Sequence, residues 1–199
     1  MIEAKNMVLV YGDGTRALKN VNLNIKSGEI VYITGPSGSG KTSLLKLIMG
    51  MEYPTKGYLK VMGQYMAEEE ERNIRKLRRN IGPIFQEFKL IKGRTALENI
   101  ILGMRFLHFT PKNMEMNANQ QLEKVGWGHK RGSSVEKLSW GESQRIAIAR
   151  AIARKPSLIL ADEPTGNLDM DNALNILDIL TSLKDDETTV IITTHATHI

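Results

Sequence analysis

The sequence predicts an α/β protein with a mixed core sheet, an antiparallel β part near the N-terminus and a helical sub-lobe. Three observations carry this prediction: alternating apolar residues early in the chain, uninterrupted apolar runs beside a glycine-rich turn, and a long stretch with helical spacing. Alternation is typical of strands with one face in water, whereas uninterrupted apolar runs are typical of strands covered on both faces.

The antiparallel part is predicted before residue 62. Val21, Leu23 and Ile25 alternate with polar residues, and Leu59 and Val61 do likewise after a turn-prone segment. The short run Met7–Val10 completes the set of early strands.

The parallel core is predicted from Ile30–Thr34, Leu158–Ala161 and Val190–Thr193, which are apolar runs without alternation. Helical spacing dominates between Glu87 and Ala153. We therefore expect one domain over residues 1–199, in which 1–86 and 154–199 form a nucleotide-binding core lobe and 87–153 form a mainly helical sub-lobe.

Composition excludes several classes of protein. The chain of 199 residues contains no cysteine, which excludes disulfides, thiolate metal sites and a cysteine nucleophile. With no apolar run near the roughly eighteen residues of a membrane span and no signal-peptide pattern, the chain is expected to be cytoplasmic. The 27 basic and 22 acidic residues give a net charge of +5, which favours anionic partners such as nucleotide phosphates.

The strongest motif is a phosphate-binding loop between a predicted strand and a predicted helix. Glycines let backbone N–H groups face phosphate oxygens, and the helix N-terminus adds the positive end of its dipole. The lysine supplies a positive charge to the β and γ phosphates, and the threonine hydroxyl is a hard ligand for Mg²⁺. The predicted ATP-binding residues are Gly35, Pro36, Ser37, Gly38, Ser39, Gly40, Lys41 and Thr42.

A second motif is the pair of acids that ends the apolar run Leu158–Ala161. Asp162 is placed at the carboxyl edge of the sheet, where it can hold Mg²⁺ directly or through water. Glu163 is the candidate general base that orients the attacking water. Such a pair also ends many ordinary strands in solvent, so its weight depends on the phosphate-binding loop upstream.

A third motif is Leu138-Ser139-Trp140-Gly141-Glu142, which precedes a helical run. Ser139 stands where an N-cap would, and Glu142 follows three residues later as a capping-box partner. A well-capped buried helix is a sufficient explanation for this spacing alone.

Taken in order, these segments resemble those of ATP-binding cassette (ABC) ATPases, whose signature motif the segment at Leu138 resembles. The resemblance implies a P-loop NTPase fold of the ABC type, with ATP and Mg²⁺ as cofactors and an ATP-bound homodimer as the active form. It also implies roles for single residues: Tyr11 stacks on adenine, Gln86 reaches Mg²⁺ and the attacking water, Asp169 lies in the loop that crosses to the partner, and His195 contacts the γ-phosphate.

In this family the signature segment of a second copy closes on the nucleotide, which assigns Ser139, Gly141 and Glu142 to ATP binding. Two positions depart from the family pattern. Trp140 stands where a glycine is usual, and Ala196 stands where an acid is common. We expect phosphate binding to survive through the Ser139 hydroxyl and the Gly141 backbone.

Within the family, the segments 77–82, 85–90 and 94–99 resemble the cell-division ATPases of the FtsE type. That resemblance implies a membrane partner similar to FtsX, docking on roughly 87–130, and a peripheral position at the inner face of the cell membrane.

Three alternatives stay open. The segment 162–169 is shared with LolD-type lipoprotein-release and macrolide-export ATPases. A soluble ABC ATPase acting on nucleic acid or ribosomes would fit the positive charge, but such proteins usually carry paired cassettes or a long coiled-coil insertion, so no nucleic acid is expected. The third alternative is a module that binds ATP and barely hydrolyses it, and Trp140 is the main argument for it.

Overall fold

The computed structural model describes residues 1–195, and Ala196 lies outside the described residues. This part of the chain forms two four-stranded sheets and six α-helices. The strands are β1 (Ile2–Val10), β2 (Arg16–Ile25), β3 (Ile30–Thr34), β4 (Lys56–Val61), β5 (Gln64–Tyr65), β6 (Ile81–Ile84), β7 (Leu158–Asp162) and β8 (Thr189–Thr194). The helices are α1 (Lys41–Ile48), α2 (Glu71–Leu77), α3 (Ala96–Met104), α4 (Pro111–Lys124), α5 (Trp140–Ile152) and α6 (Met170–Thr181).

The first sheet is antiparallel, in the order β2-β1-β4-β5, which confirms the predicted N-terminal β part. One face of β1 carries Ile2, Ala4 and Met7, which are all buried. These side chains pack in one cluster with apolar residues of α1. The sheet therefore covers the helix that follows the glycine-rich turn.

The second sheet is parallel, in the order β3-β8-β7-β6. Every residue of β7 and β8 is buried, as their uninterrupted apolar runs predict. The same prediction was wrong for β3, where Tyr32 is 43% exposed. The physical reason is position: within the described residues β3 pairs only with β8 and lies at the edge of the sheet.

Two apolar clusters lie on opposite faces of the parallel sheet. Leu158, Leu160 and Ile191 face the cluster that contains α1 and the antiparallel sheet. Ile159 and Val190 face the cluster built with helices α3 to α6. Because side chains alternate across a strand, a run without sequence alternation fills both clusters at once.

The helices between β6 and β7 begin at well-formed caps. Thr95 and Glu98 form a capping box at α3, and Thr110 caps α4, whose first residue is Pro111. Ser139 and Glu142 form the predicted capping box at α5. Within residues 1–195, no helix is both long and apolar enough to cross a lipid bilayer.

Arg78 joins the C-terminal end of α1 to the segment between α2 and β6. Its half-buried guanidinium donates to the carbonyl of Met49 at 2.9 Å and to that of Gly50. Both acceptors lie just past the last turn of α1, where the negative end of the helix dipole favours a cation.

We predict that Arg78→Ala lowers the free energy of unfolding by about 2 kcal/mol, because hydrogen bonds from charged groups contribute about 1.5–3 kcal/mol. The matched control is Arg79→Ala at the exposed neighbouring position, which should change it by less than about 0.5 kcal/mol. Urea unfolding of both variants measures the difference, and equal losses would contradict the assigned role of Arg78.

Candidate nucleotide-binding site

The glycine-rich turn connects β3 to α1 at the carboxyl edge of the parallel sheet. Gly40 is the N-cap of α1 and has a φ of 93°, a conformation that side chains disfavour. A Cβ atom there would lie 2.6 Å from the carbonyl oxygen of Ala17. The turn therefore needs glycine both for its backbone conformation and for its approach to the N-terminal sheet.

The Lys41 side chain curls back over this turn and is only 7% exposed. Its ammonium donates to the carbonyl oxygens of Gly35 at 2.7 Å and Pro36 at 3.1 Å. It also lies 3.2 Å from a carboxylate oxygen of Glu163. A positive charge thus stands at the centre of the loop, where a phosphate would bring negative charge.

Thr42 and Asp162 come together from α1 and β7. The Thr42 hydroxyl donates to Oδ1 of Asp162 at 3.2 Å, and the Thr193 hydroxyl donates to the same oxygen at 2.7 Å. A hydroxyl and a carboxylate are hard oxygen donors, and Mg²⁺ is usually held by one or two such ligands with water and phosphate completing its shell. This donor pair fits Mg²⁺. Gln86, the third predicted metal residue, lines both of the cavities that meet here.

Glu163 is held in a strained conformation, with a φ of 47°. Its backbone N–H donates to Thr193. Its side chain is 11% exposed and contacts two basic side chains at once. One carboxylate oxygen faces Lys41, and the other accepts a hydrogen bond from Nδ1 of His195 at 2.7 Å. These contacts aim the carboxylate into the cavity.

Burial pushes the pKa of Glu163 upward, but the hydrogen bonds from His195 and Lys41 outweigh burial and leave the pKa below its ordinary value. Because folding lowers this pKa, the carboxylate stabilises the protein above the ordinary glutamate pKa. That contribution is lost as the pH falls through the value in the folded state.

The cavity around the turn has a volume of about 490 Å³. Tyr11 lines it, and its hydroxyl lies 3.0 Å from that of Ser43, which fixes the ring beside the start of α1. Thr15 and Arg16 also line the cavity and were missed by the sequence analysis. The only sign of these two residues in the sequence is that they follow closely after Tyr11.

The structure brings most of the predicted site residues together in this cavity: Tyr11, Ser37, Gly38, Ser39, Gly40, Lys41, Thr42, Gln86, Glu163 and His195. It places a second group elsewhere. Ser139, Gly141, Glu142 and Asp169 line a separate cavity of about 390 Å³. Gly35 and Pro36 line neither cavity, and the other residues predicted to bind ATP fall into two groups that do not share a cavity.

The second group is organised by helix caps. The Ser139 hydroxyl accepts from the backbone N–H of Glu142 at 3.3 Å, and Glu142 accepts from the Ser139 N–H at 2.7 Å. Glu142 also pairs with Lys130 at 2.8 Å, and these bonds, from Lys130 first, lower the pKa of its carboxyl. Asp169 caps α6 through the N–H of Asn172.

We predict that His195→Ala raises the pKa of Glu163, because it removes a side-chain hydrogen bond to the carboxylate while burial remains. Carbon-13 NMR titration of glutamate-labelled protein, without magnesium or nucleotide, measures both forms. In the unaltered protein the Glu163 carboxyl should titrate below the ordinary glutamate pKa of about 4.3. Glu142 is the internal control, since its partners do not include His195, and an unmoved Glu163 resonance would contradict the assignment.

Comparison with known proteins agrees with this geometry. The family model described as ABC transporter matches residues 18–166. The chain is 44% identical over 199 residues to the uncharacterized ABC transporter ATP-binding protein MJ1508 of Methanocaldococcus jannaschii, covering 98% of this chain and 89% of that protein. It is 38% identical over 199 residues to the cell division ATP-binding protein FtsE of Streptococcus pneumoniae, covering 100% of this chain and 86% of that one.

Among solved structures, the chain is similar to the ATP-binding cassette MJ0796 in a dimeric post-hydrolysis state bound to ADP and Pi. The TM-score is 0.88 at 37% identity, covering 98% of this chain and 88% of that one. This similarity confirms the predicted ABC-type α/β fold. The phosphate-binding turn, the acids that follow β7 and the family match lead to one conclusion: the chain belongs to the ABC transporter family of ATP-binding proteins.

Proposed function

We propose that the protein is the Mg²⁺-dependent, ATP-hydrolysing subunit of a membrane ABC complex and that it acts as a homodimer. The observation that carries this proposal is the separation of the predicted ATP-binding residues into two cavities of one chain. A second copy, turned so that its 139–142 segment faces the phosphate-binding turn, would unite them. The dimeric relative bound to ADP and Pi supports a dimeric form.

Nucleotide binding would use the glycine-rich turn and the side chains around it. Backbone N–H groups of the turn and the N-terminus of α1 attract the phosphates. Lys41 exchanges its carbonyl contacts at Gly35 and Pro36 for phosphate oxygens, which are stronger partners for an ammonium. The Tyr11 ring offers a flat apolar surface for the base.

Hydrolysis would use Glu163 as the base that orients the attacking water and accepts its proton. Its lowered pKa keeps the carboxylate ionised at neutral pH, and His195 fixes its direction. Charge on the transferred phosphoryl group is stabilised by Lys41, by the amides of the turn and by Ser139 of a second copy. Mg²⁺ held by Thr42, Asp162 and Gln86 would neutralise phosphate charge when bound.

The membrane partner is proposed to be similar to FtsX. The resemblance of segments 77–82, 85–90 and 94–99 to FtsE-type ATPases supports this choice, as does the similarity to FtsE of Streptococcus pneumoniae over all of this chain. Two surfaces suit the contact. An apolar groove of about 260 Å³ lies beside Gln86 and includes the exposed Met51, and the 87–130 region exposes Phe106. LolD-type release or macrolide export is the alternative.

We predict that Glu163→Gln lowers the ATPase rate about 100-fold or more, because the amide cannot accept the proton. The ATP-bound dimer should then accumulate, as measured by sedimentation with and without ATP. In the unaltered protein, activity per protomer should rise with protein concentration. Glu69→Gln, at an exposed glutamate that lines neither cavity, is the control. Unchanged turnover in Glu163→Gln would exclude Glu163 as the base.

We predict that the native complex, purified from membranes and analysed by mass spectrometry, contains an FtsX-like membrane protein. Met51→Glu places a charge in the groove, and Met116→Glu places one at an exposed site of the helical region. Loss of the partner with Met51→Glu alone assigns docking to the groove, which Glu87 and Lys89 also line, and loss with Met116→Glu alone assigns it to the exposed surface of α4. Capture of a lipoprotein-release or exporter subunit would contradict the FtsX-like proposal.

A further inference from the structure

Trp140 is the first residue of α5 and occupies the position where the family pattern has a glycine. Its indole N–H donates to the carbonyl oxygen of Gly166 at 3.1 Å. Its ring meets the ring of Phe88 edge to face, with 4.6 Å between centroids and 69° between planes. We call the group Phe88, Trp140 and Gly166 the Trp140 clamp.

One end of the clamp holds the loop that follows Gln86. Phe88 and the next residue, Lys89, both have left-handed backbones, with φ of 59° and 51°. Arg150, further along α5, donates to the carbonyls of these two residues. Helix α5 therefore contacts this strained loop at two points, through the Trp140 ring at the helix N-terminus and through the Arg150 guanidinium near its C-terminus.

The other end of the clamp holds the loop between Glu163 and Asp169. Gly166 donates its N–H to the carbonyl of Glu163 at 3.1 Å, so its own carbonyl belongs to the same tight turn. Asn167, the next residue, has a φ of 68°. The indole is thus bonded to a strained loop that joins the proposed base to a residue proposed to cross to the second copy.

We propose that Trp140 is a positioning residue. It holds the first turn of α5, Ser139–Gly141, against the loop that follows Gln86 and against the 163–169 loop before the second copy binds. The inference rests on the proposed function, because it gives the turn a role in closing on ATP. Segments fixed in their bound arrangement lose less conformational freedom on association, so the clamp favours the ATP-bound dimer. The indole N–H is bonded within its own chain, and the ring, 42% exposed, lines the same cavity as Ser139 and Gly141.

The test compares Trp140→Ala, which removes both contacts, with Trp140→Phe, which keeps an aromatic ring for Phe88 and loses the N–H donor. Both are made in the Glu163→Gln background, so that the ATP-bound dimer persists. Sedimentation at several protein concentrations gives the dimer dissociation constant with ATP and Mg²⁺. A fluorescent ADP analogue gives the affinity of the nucleotide cavity, and thermal unfolding monitors the fold.

Trp140→Ala should raise the dimer dissociation constant about tenfold, because the segments that the clamp holds must then be ordered when the second copy binds. Trp140→Phe should raise it less. Affinity for the ADP analogue should stay unchanged in both, because none of the clamp residues lines the cavity around Lys41. A merely structural role would move the unfolding temperature and leave the dissociation constant in place.

Phe88→Ala provides an independent check on the contact itself. Alone it should weaken dimerisation, and in combination with Trp140→Ala it should add little, because the shared ring contact is already lost. If Trp140→Ala fails to fold, Trp140→Phe and Phe88→Ala carry the test. Equal or tighter dimerisation in the folded variants overturns this inference alone. Failure of Glu163→Gln itself to dimerise with ATP overturns the proposed function as well.

Discussion

The parallel pairing of β3, β8 and β7 is the constraint on which the site depends. The pairing sets Thr34 opposite Thr194 and Asp162 opposite Thr193, so the carboxyl ends of three strands finish at the same edge. The turn that follows β3 and the acids at the end of β7 can meet only there. Since strand side chains alternate, a slip of one residue would turn Asp162 away from Thr42.

The sequence was sufficient for features that depend on local chemistry. The glycine-rich turn, the capping box at Ser139 and the fully buried β7 each follow from a pattern within a few residues. The sequence was insufficient for features that depend on how distant segments pack together. Thr193 became visible as the partner of Asp162 only with the strand register, and the exposure of Tyr32 only with the strand order. The division of the candidate ATP-binding residues between two cavities is likewise a property of the packed chain.

Left-handed backbones occur at several places in residues 1–195, and the loops around the site contain four of them. Phe88, Lys89, Glu163 and Asn167 all adopt left-handed conformations that non-glycine residues disfavour. Hydrogen bonds from other elements hold them in place, with Arg150 acting on the first two and Thr193 on Glu163. Burial, with a lesser effect of Arg154, lowers the pKa of Arg150 to about 10, so its guanidinium is still charged at neutral pH. The strained loops are therefore held by bonds from the sheet and α5 rather than by local preference.

The cap at the start of α5 has a consequence for which substitutions of Ser139 leave the fold intact. The Ser139 oxygen accepts a hydrogen bond with one lone pair, which leaves its hydroxyl proton free to be donated elsewhere. A single atom can thus serve helix stability and the proposed contact with phosphate without conflict. Drift toward Asp or Asn at this position would preserve the cap while removing that proton or reshaping the donor. A variant of this kind would keep its fold and lose the proposed contact with phosphate.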